Sequence, residues 1–400
     1  EDPDSSTLLL NTLNSPGIIA TNSQDHLGGY SAIVVNIPGM QSYFTENDED
    51  SPRPNLSLIR VAFGPEQMEI QDSYFDNLEN YLQNSLEVDI EILRFESNLA
   101  ILENLSSGNV EFAFIGGMAA WSGWKQHNLS VMAAVQNQDE RIYSYSQAWV
   151  RSGSEIANAQ LDDDPLTDPI GLLEGSNPCL TGLLDPIENL VSMGYLIENG
   201  YTQHDIDSWT PQSLQDSIYS FFNSQAVNFP EADSQYYGFA GALRCLSEES
   251  GDVALISDSI VQDICGNGES GGNQDWCLER NQYVSLQIFG KIPGQSVMYN
   301  PTTVDVISRT AVLNVLTLLN YQTFLENFTY SGTTYTGCYD FTTHVIDEDS
   351  PRSDCGSEIL ANIFDSPGIV RTTSHGHLGS FSETMRIFPG FSEYIEEIIQ

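Results

Sequence analysis

The residues best suited to ligand chemistry stand in a polar turn between a predicted strand and a predicted helix, within GLLEGSNPCLTGLLDPIENLVSMG at 171–194. Ser176, Asn177 and Thr181 bring amide and hydroxyl groups to this turn. Backbone N–H groups at a helix N-terminus point outward, and the helix dipole favours an anion there by about 0.3–2 kcal/mol. The pattern therefore predicts a binding position for a small oxyanion. The alternative is a purely structural strand-to-helix turn.

Two loops earlier in the chain also follow predicted strands. The stretch 59–117 alternates strand and helix patterns in the order β-α-β-α-β, and its outer strands stop at glycines. In open parallel sheets, small ligands bind at the carboxyl ends of the strands. The ligand-facing positions predicted on this basis are Gly64, Pro65, Gly116 and Gly117.

The order of these elements resembles that of the phosphate, phosphite and phosphonate type of periplasmic binding protein, the receptors of ABC importers. The resemblance covers residues 56–320, about two thirds of the chain. It implies an α/β, two-lobed type 2 periplasmic-binding-protein fold with mixed, mainly parallel sheets and a ligand cleft between the lobes. Two crossings between the lobes would then act as the hinge for closure over ligand.

The resemblance also implies roles for residues of the second lobe. In the family one strand ends in a ligand-contacting acid, and Asp258 matches it; Tyr237 stands near a position where the family presents a polar residue. The family's anion turn carries Ser-Thr-Ser-Gly, where this chain has Cys-Leu-Thr-Gly at 179–182. Two of the three hydroxyls are therefore missing, which argues against phosphonate itself while keeping a ligand at this turn.

The sequence does not point to an enzyme. It contains no GxSxG elbow, HExxH pair, phosphate-loop lysine or Rossmann glycine fingerprint. The adjacent Tyr236 and Tyr237 leave ferric ion open as an alternative ligand, because phenolates ligate iron in some binding proteins. The expectation is a binding protein with no resident metal and no cofactor.

The charge balance is strongly acidic. Asp and Glu number 56 against 13 Lys and Arg, a formal charge of −43. A surface of this sign does not fit nucleic acid or an anionic membrane as a partner. It does fit a protein that stays soluble at high ionic strength, where charge repulsion is screened within roughly 3 Å at 1 M salt; an ordinary acidic exported protein is the alternative.

Cysteine usage indicates an oxidising compartment. The six cysteines form no CxxC pair, which favours disulfides over zinc. The pairs expected from sequence proximity are Cys265 with Cys277 and Cys338 with Cys355, which leaves Cys179 with Cys245. No apolar run reaches the roughly 20 residues of a membrane span, so we expect a secreted or cell-surface protein whose export signal has been removed.

A repeat joins the two ends of the chain. Residues 15–44 align without a gap to 366–395, with thirteen of thirty positions identical, including His26 with His377. Three hypotheses fit: a unit of a tandem array, a segment donated to a neighbouring subunit, or a duplicated surface hairpin. The repeated histidine is interpreted as a structural hydrogen-bonding residue.

The predicted organisation has two lobes and two end segments. The boundaries are 1–50 for the N-terminal extension, 51–150 plus 290–345 for lobe 1, 151–289 for lobe 2, and 346–400 for the C-terminal repeat copy. The predicted function is capture of a small, oxyanion-bearing solute for an ABC permease. The alternative is a structural subunit of a surface filament or layer, with homo-polymer contacts through residues 1–45.

Overall fold

A computed structural model describes residues 53–399 apart from 163, 165, 183–185, 203–206, 224–228, 232, 267–273, 331–332, 343 and 349–350. These residues belong to one compact unit, Pro54–Gln400. The N-terminal copy of the repeat, and with it the predicted contacts through residues 1–45, lies outside the described residues.

The predicted β-α-β-α-β order is confirmed and builds the core of a six-stranded sheet. The elements of this part are β1 (Leu58–Phe63), α1 (Asp72–Leu86), β2 (Asp89–Arg94), α2 (Asn98–Ser107), β3 (Phe112–Ile115), α3 (Gly117–Gln126) and β4 (Ser130–Val135). Two strands from later in the chain, β9 (Ser296–Tyr299) and β13 (Ile369–Arg371), complete the order β13-β4-β9-β3-β1-β2. The central strands are buried on both faces, which explains their unbroken apolar runs.

Local signals in the sequence set the ends of α2. The Ser97 hydroxyl caps the helix by accepting the N–H of Ala100, and Gly108 ends it in the left-handed region at φ 73°. Both choices satisfy backbone groups that a helix end would otherwise leave unpaired. The loops that lead into the ligand-facing edge of the sheet are thereby held in place.

The second lobe is built on a four-stranded sheet with the order β6-β7-β5-β8. Its elements are β5 (Tyr143–Arg151), α4 (Glu155–Leu161), β6 (Pro178–Cys179), α5 (Pro186–Glu198), α6 (Pro211–Phe221), α7 (Gly238–Ser247), β7 (Val253–Ser257), α8 (Ile260–Cys265) and β8 (Tyr283–Pro293). The two-lobed α/β prediction is therefore confirmed.

The balance of strand directions differs from the prediction of mainly parallel sheets. The parallel pairs among the described strands are β1 with β2, β1 with β3, and β6 with β7. The other pairs are antiparallel, because the strands that run between the lobes return through the sheets in the opposite direction. The sheets are mixed, as predicted, but the crossing strands make them mostly antiparallel.

A small antiparallel sheet follows β9 and α9 and has the order β10-β11-β12. The elements are α9 (Val306–Leu318), β10 (Gln322–Tyr330), β11 (Thr333–Asp340), β12 (Val345–Asp347) and α10 (Gly356–Phe364). Phe364 at the end of α10 packs back into the first lobe, where its ring lies 4.7 Å from that of Phe114. The third sheet is thus anchored to the first.

The C-terminal copy of the repeat packs into the core between both lobes. Its helices are α11 (Ser374–Ile387) and α12 (Ile395–Ile398). Phe381 on α11 meets Trp121 of α3 edge-on at 6.0 Å, and Phe388 meets Trp209 of the second lobe at 4.7 Å. Trp121 is therefore a buried core residue.

The strand positions suggest lobe boundaries that differ from those predicted. Strand β5, which starts at Tyr143, belongs to the second sheet, and so does β8 up to Pro293. We propose that the lobes divide in the crossing segments 136–142 and 294–295, in place of the predicted 150/151 and 289/290.

The three predicted disulfides are confirmed. They are Cys179–Cys245, Cys265–Cys277 and Cys338–Cys355. The first joins β6 to α7 and lies against Gly251, where an added Cβ would stand 2.5 Å from the Cys179 sulfur. It therefore fixes the edge of the second sheet that carries the polar turn.

Replacing both Cys179 and Cys245 with Ala should destabilise the protein more than replacing Cys265 and Cys277. The bridges span 66 and 12 residues, for which the chain-entropy model gives losses of about 4 and about 3 kcal/mol. Guanidinium unfolding of the two double variants measures both losses. A larger loss from the shorter loop would contradict this account.

Candidate functional site

The two crossing segments touch one another at the hinge. Gly294 donates its N–H to the carbonyl oxygen of Ile142 at 3.1 Å. Gly117 at the start of α3 packs so closely beneath the second crossing that an added Cβ would lie 2.1 Å from the Pro293 carbonyl oxygen. Predicted as a ligand-facing residue, Gly117 is thus placed against hinge backbone.

His377 of α11 holds the same crossing from the other side. Its Nε2 donates to the carbonyl oxygen of Gly294 at 3.0 Å, and the ring is buried. Burial lowers the pKa of His377, which keeps the imidazole neutral. The repeated histidine is therefore structural in this copy, as interpreted from the sequence; His26 lies outside the described residues.

A cavity of 870 Å³ opens beside the hinge. It is lined by the first crossing, the end of β7, the start of α8 and the end of α10; the charged residues among them are Asp139, Arg141, Asp258, Asp263 and Asp365. Its volume lies in the range of small-molecule sites, about 300–1,000 Å³. The cavity is therefore a candidate solute site.

Arg141 ties the hinge to the second lobe through two carboxylates. Its Nε donates to Asp139 Oδ2 at 2.6 Å, and its Nη2 donates to Asp258 Oδ2, also at 2.6 Å. The guanidinium holds the pKa of Asp139 below its usual range, chiefly through this hydrogen bond. Asp258 also accepts the N–H of Tyr145 at 2.9 Å, so the predicted ligand-contacting acid is engaged within the protein.

Asp263 has no such cationic partner among the described side chains. Burial raises its pKa first, and the nearby charges of Asp365, Asp139 and Asp258 raise it further. The cavity therefore carries negative charge that Arg141 does not neutralise.

In the first lobe, the predicted glycines surround a carboxylate of the protein itself. An added Cβ would lie 2.6 Å from Glu66 Oε2 at Gly64 and 3.0 Å from Glu66 Oε1 at Gly116. Asn98 at the start of α2 donates to Glu66 Oε1 at 3.2 Å. Pro65 begins the short 3₁₀ turn that carries Glu66. The ends of β1 and β3 thus present a negative group.

Thr181 lies at the carboxyl end of β6, on the same sheet edge as Asp258. Its hydroxyl is fully buried and has no hydrogen-bond partner among the described residues, and its carbonyl oxygen accepts the N–H of Gly238 at 2.7 Å. The ring of Tyr237 covers Gly182, at 2.9 Å from an added Cβ. Of the predicted residues, Thr181 and Tyr237 are therefore brought together.

Ser176 and Asn177 lie at the opposite end of β6. The Asn177 N–H donates to Asp252 Oδ2 at 3.0 Å, just before β7, and the Ser176 hydroxyl donates to the Leu173 carbonyl oxygen at 2.7 Å. The structure does not bring these two residues together with Asp258, because β7 separates the two edges.

The two adjacent tyrosines do not point to one shared centre. The Tyr236 hydroxyl donates to Glu248 Oε2 at 2.9 Å, whereas the Tyr237 ring packs on Gly182. The described residues include no group of three or more His, Cys, Asp or Glu side chains arranged to hold a metal ion.

Sequence reasoning missed Arg141, Asp263 and Asp365. The available signal was the polar run QNQDER at 136–141 between two apolar strands, which marks the first crossing. Asp263 and Asp365 carry no comparable signal, because they meet only when α8 and α10 pack on either side of the hinge.

The family model described as the periplasmic substrate-binding protein of a phosphonate ABC transporter matches residues 65–227. A transferrin family model matches residues 229–283. The serotransferrin of Oryzias latipes is 39% identical over 83 residues, which are 20% of this chain and 11% of that protein. This chain spans only part of the length of the curated transferrins to which it is similar, for example 9% of human lactotransferrin and 34% of the melanotransferrin of Oryctolagus cuniculus.

Two solved structures illustrate the fold. Transferrin 1 from Manduca sexta has a TM-score of 0.50 and 15% identity, and the match covers 92% of this chain and 50% of that chain. A binding protein component of an ABC phosphonate transporter from Pseudomonas aeruginosa has a TM-score of 0.44 and 10% identity, over 82% and 87% of the two chains. The two-lobed α/β fold is that of the type 2 periplasmic binding proteins, and residues 65–227 are similar to the phosphonate-binding family.

Among the described helices, none is both long and apolar enough to cross a membrane.

Replacing Asp263 with Asn should raise the melting temperature at pH 7 and have little effect at pH 3. Folding raises the pKa of the Asp263 carboxyl group, so the protonated group contributes stability at pH values below its unfolded-state pKa. This contribution is lost as the pH rises through the folded-state pKa. Thermal unfolding of both proteins at the two pH values measures the difference. The exposed Asp76 on α1, changed to Asn, is the control; an equal gain from both changes at pH 7 would contradict the assignment.

Proposed function

We propose that this protein is a secreted or periplasmic receptor that captures a small solute between its two lobes and delivers it to an ABC permease. The observation that carries the proposal is the cavity beside the hinge, lined by the first crossing and by second-lobe residues Ser257–Ser259. A solute bound there contacts the parts that move when the lobes close. The match to the phosphonate-binding family supports the same class of function.

The family match favours an oxyanion-bearing solute, and Thr181 is the group that we propose to bind it. The Thr181 hydroxyl is a buried donor that has no partner within the described part of the chain, and it stands shortly before α5. An unsatisfied buried polar group costs about 1–3 kcal/mol, so a ligand oxygen that accepts from it would recover that cost. Tyr237 beside it would close the position on one side.

The charges nearby favour a singly charged oxyanion over a fully ionised one. Glu188, in the first turn of α5, is 2% exposed and brings a carboxyl group to the same helix end. The Glu188 carboxyl group would repel a solute that carries a second full negative charge. Such repulsion is one way in which a site discriminates between charge states of a ligand.

The alternative of a structural filament subunit stays a hypothesis from the repeat alone. Its joint would be residues 1–45, which lie outside the described residues, and the family matches give it no support. Secretion or periplasmic export is part of the proposal, and the three disulfides favour it.

Replacing Thr181 with Val should stabilise the free protein and weaken solute binding. Valine has the same shape and removes the unpaired hydroxyl, so a gain of about 1–3 kcal/mol is expected without ligand. A thermal-shift panel of phosphate, phosphite, methylphosphonate, sulfate and amino acids measures binding to the wild type. A binder at 100 times its Kd adds about 2.7 kcal/mol of stability, and this shift should shrink in the valine variant.

Thr181→Ser is the matched control, since it keeps the hydroxyl and should keep the ligand shift. A panel in which no solute stabilises the wild type would overturn the receptor proposal. If the ligand raised the melting temperature equally in the valine and serine variants, Thr181 would not belong to the site. The receptor proposal would be unaffected by that result.

A further inference from the structure

Four asparagines stand in the pattern Asn-x-Ser or Asn-x-Thr with no proline between, which is the acceptor pattern for N-linked glycans. They are Asn55, Asn104, Asn128 and Asn327. The three disulfides favour export, and export brings a chain to the enzymes that transfer such glycans. Because a glycan is bulky and hydrophilic, the folded protein can carry one only where the asparagine lies at the surface.

Two of the four asparagines use their amide groups within the fold. Asn104 lies half-buried inside α2, where its Nδ2 donates to the carbonyl oxygen of Ala100 at 2.8 Å. Asn55 is exposed, but its Nδ2 donates to Asp305 Oδ1 at 3.1 Å. A sugar replaces one of the two Nδ2 protons, so it would crowd the helix backbone at Asn104 and the Asp305 carboxylate at Asn55.

At Asn128 the rest of the acceptor pattern is held in the fold. Asn128 itself is exposed and has left-handed backbone at φ 55°. Leu129 is only 1% exposed, and Ser130 pairs with Tyr299 as the first residue of β4. The folded protein therefore presents only the first residue of this pattern.

Asn327 presents the complete pattern on the surface, because Phe328 and Thr329 are exposed as well. It lies in a β-bulge of β10, where Glu326 and Asn327 together oppose Thr336 of β11. Its backbone is left-handed at φ 51°, a conformation that asparagine tolerates better than most residues do. Its backbone N–H donates to Thr336 Oγ1 at 3.0 Å, whereas its side chain makes no hydrogen bond within the described part of the protein.

The strand that carries Asn327 has an open edge. Among the described strands, β10 pairs with β11 alone, so its outer edge is unpaired. The strand is nine residues long and contains neither Lys nor Pro. Phe328 and Phe341 are 48% and 44% exposed, and both line an apolar cavity on this sheet. Long apolar edge strands associate with other chains unless a charge, a proline, a bulge or a cover prevents it.

We propose that Asn327 carries an N-linked glycan, which shields the outer edge of β10 and its exposed phenylalanines. The co-substrate is an oligosaccharide joined through phosphate to a membrane lipid. In the transfer, Asn327 Nδ2 forms a bond to C1 of the first sugar and loses a proton. The bond between C1 and the phosphate oxygen breaks, and the lipid phosphate leaves with that electron pair. The proposal rests on export and not on solute binding, so a solute panel without a binder leaves it unaffected.

The test of the site is secretion of the full chain from cultured eukaryotic cells, followed by removal of N-glycans with a peptide N-glycosidase in isotope-labelled water. The enzyme converts each glycosylated asparagine to a labelled aspartate, which peptide mass spectrometry locates. Asn327 should be labelled in most chains, Asn104 in none, and Asn55 and Asn128 in fewer chains than Asn327. Thr329→Ala should abolish the label at Asn327, whereas Thr329→Ser keeps the hydroxyl of the acceptor pattern and should retain it.

A secreted, folded chain without label at Asn327 would overturn the proposal. Equal labelling at all four asparagines would also overturn it, because the fold would then not select the site. A label at Asn327 that survives in the Thr329→Ala variant would show that the acceptor pattern does not direct the modification.

The shielding role has its own test in the same pair of variants, because both change one exposed residue and leave the backbone at Asn327 untouched. On heating, the Thr329→Ala protein should begin to scatter light at a lower temperature than the Thr329→Ser protein. Wild-type protein from which the glycan has been removed enzymatically should behave like the alanine variant. An equal onset of scattering in all of these samples would overturn the shielding and leave the glycan site standing.

Discussion

The fold depends on how two chain crossings are held at the hinge. The second crossing is fixed by Gly294, which donates to Ile142 and accepts from His377, and by the close contact of Gly117 with Pro293. These contacts join the first sheet, the second sheet and the C-terminal helix at one place. Any opening or closing of the lobes must therefore bend the short segments 136–142 and 294–295, whose polar side chains line the candidate site.

The carboxyl ends of the strands carry unlike chemistry. The carboxyl ends of β1 and β3 present Glu66, the end of β6 presents the unpaired hydroxyl of Thr181, and the end of β7 presents Asp258 bound to Arg141. A family match that favours oxyanions therefore meets a cleft rich in carboxylates.

Much of the fold could be predicted because it depends on local patterns. Strands β1 and β3 are mainly apolar and end at glycines, and two of the disulfide pairs followed from sequence neighbours. The strand directions and the charged cavity could not be predicted in this way. Asp263 and Asp365 are separated by about a hundred residues, and they meet only through packing at the hinge. Ser176 and Asn177 read as binding residues because they precede β6, but the direction of that strand places them at the wrong edge.

The central claim is that a solute binds in the cavity beside the hinge. The most direct test is calorimetric titration of the solute that most raises the melting temperature, into wild type and into Gln262→Trp. Gln262 is exposed on α8 and lines the cavity, and its side chain makes no hydrogen bond within the described part of the protein, so tryptophan there fills the space without breaking a side-chain contact. The account predicts one bound solute per wild-type chain and a loss of binding in the variant. Equal binding by the two proteins would contradict it.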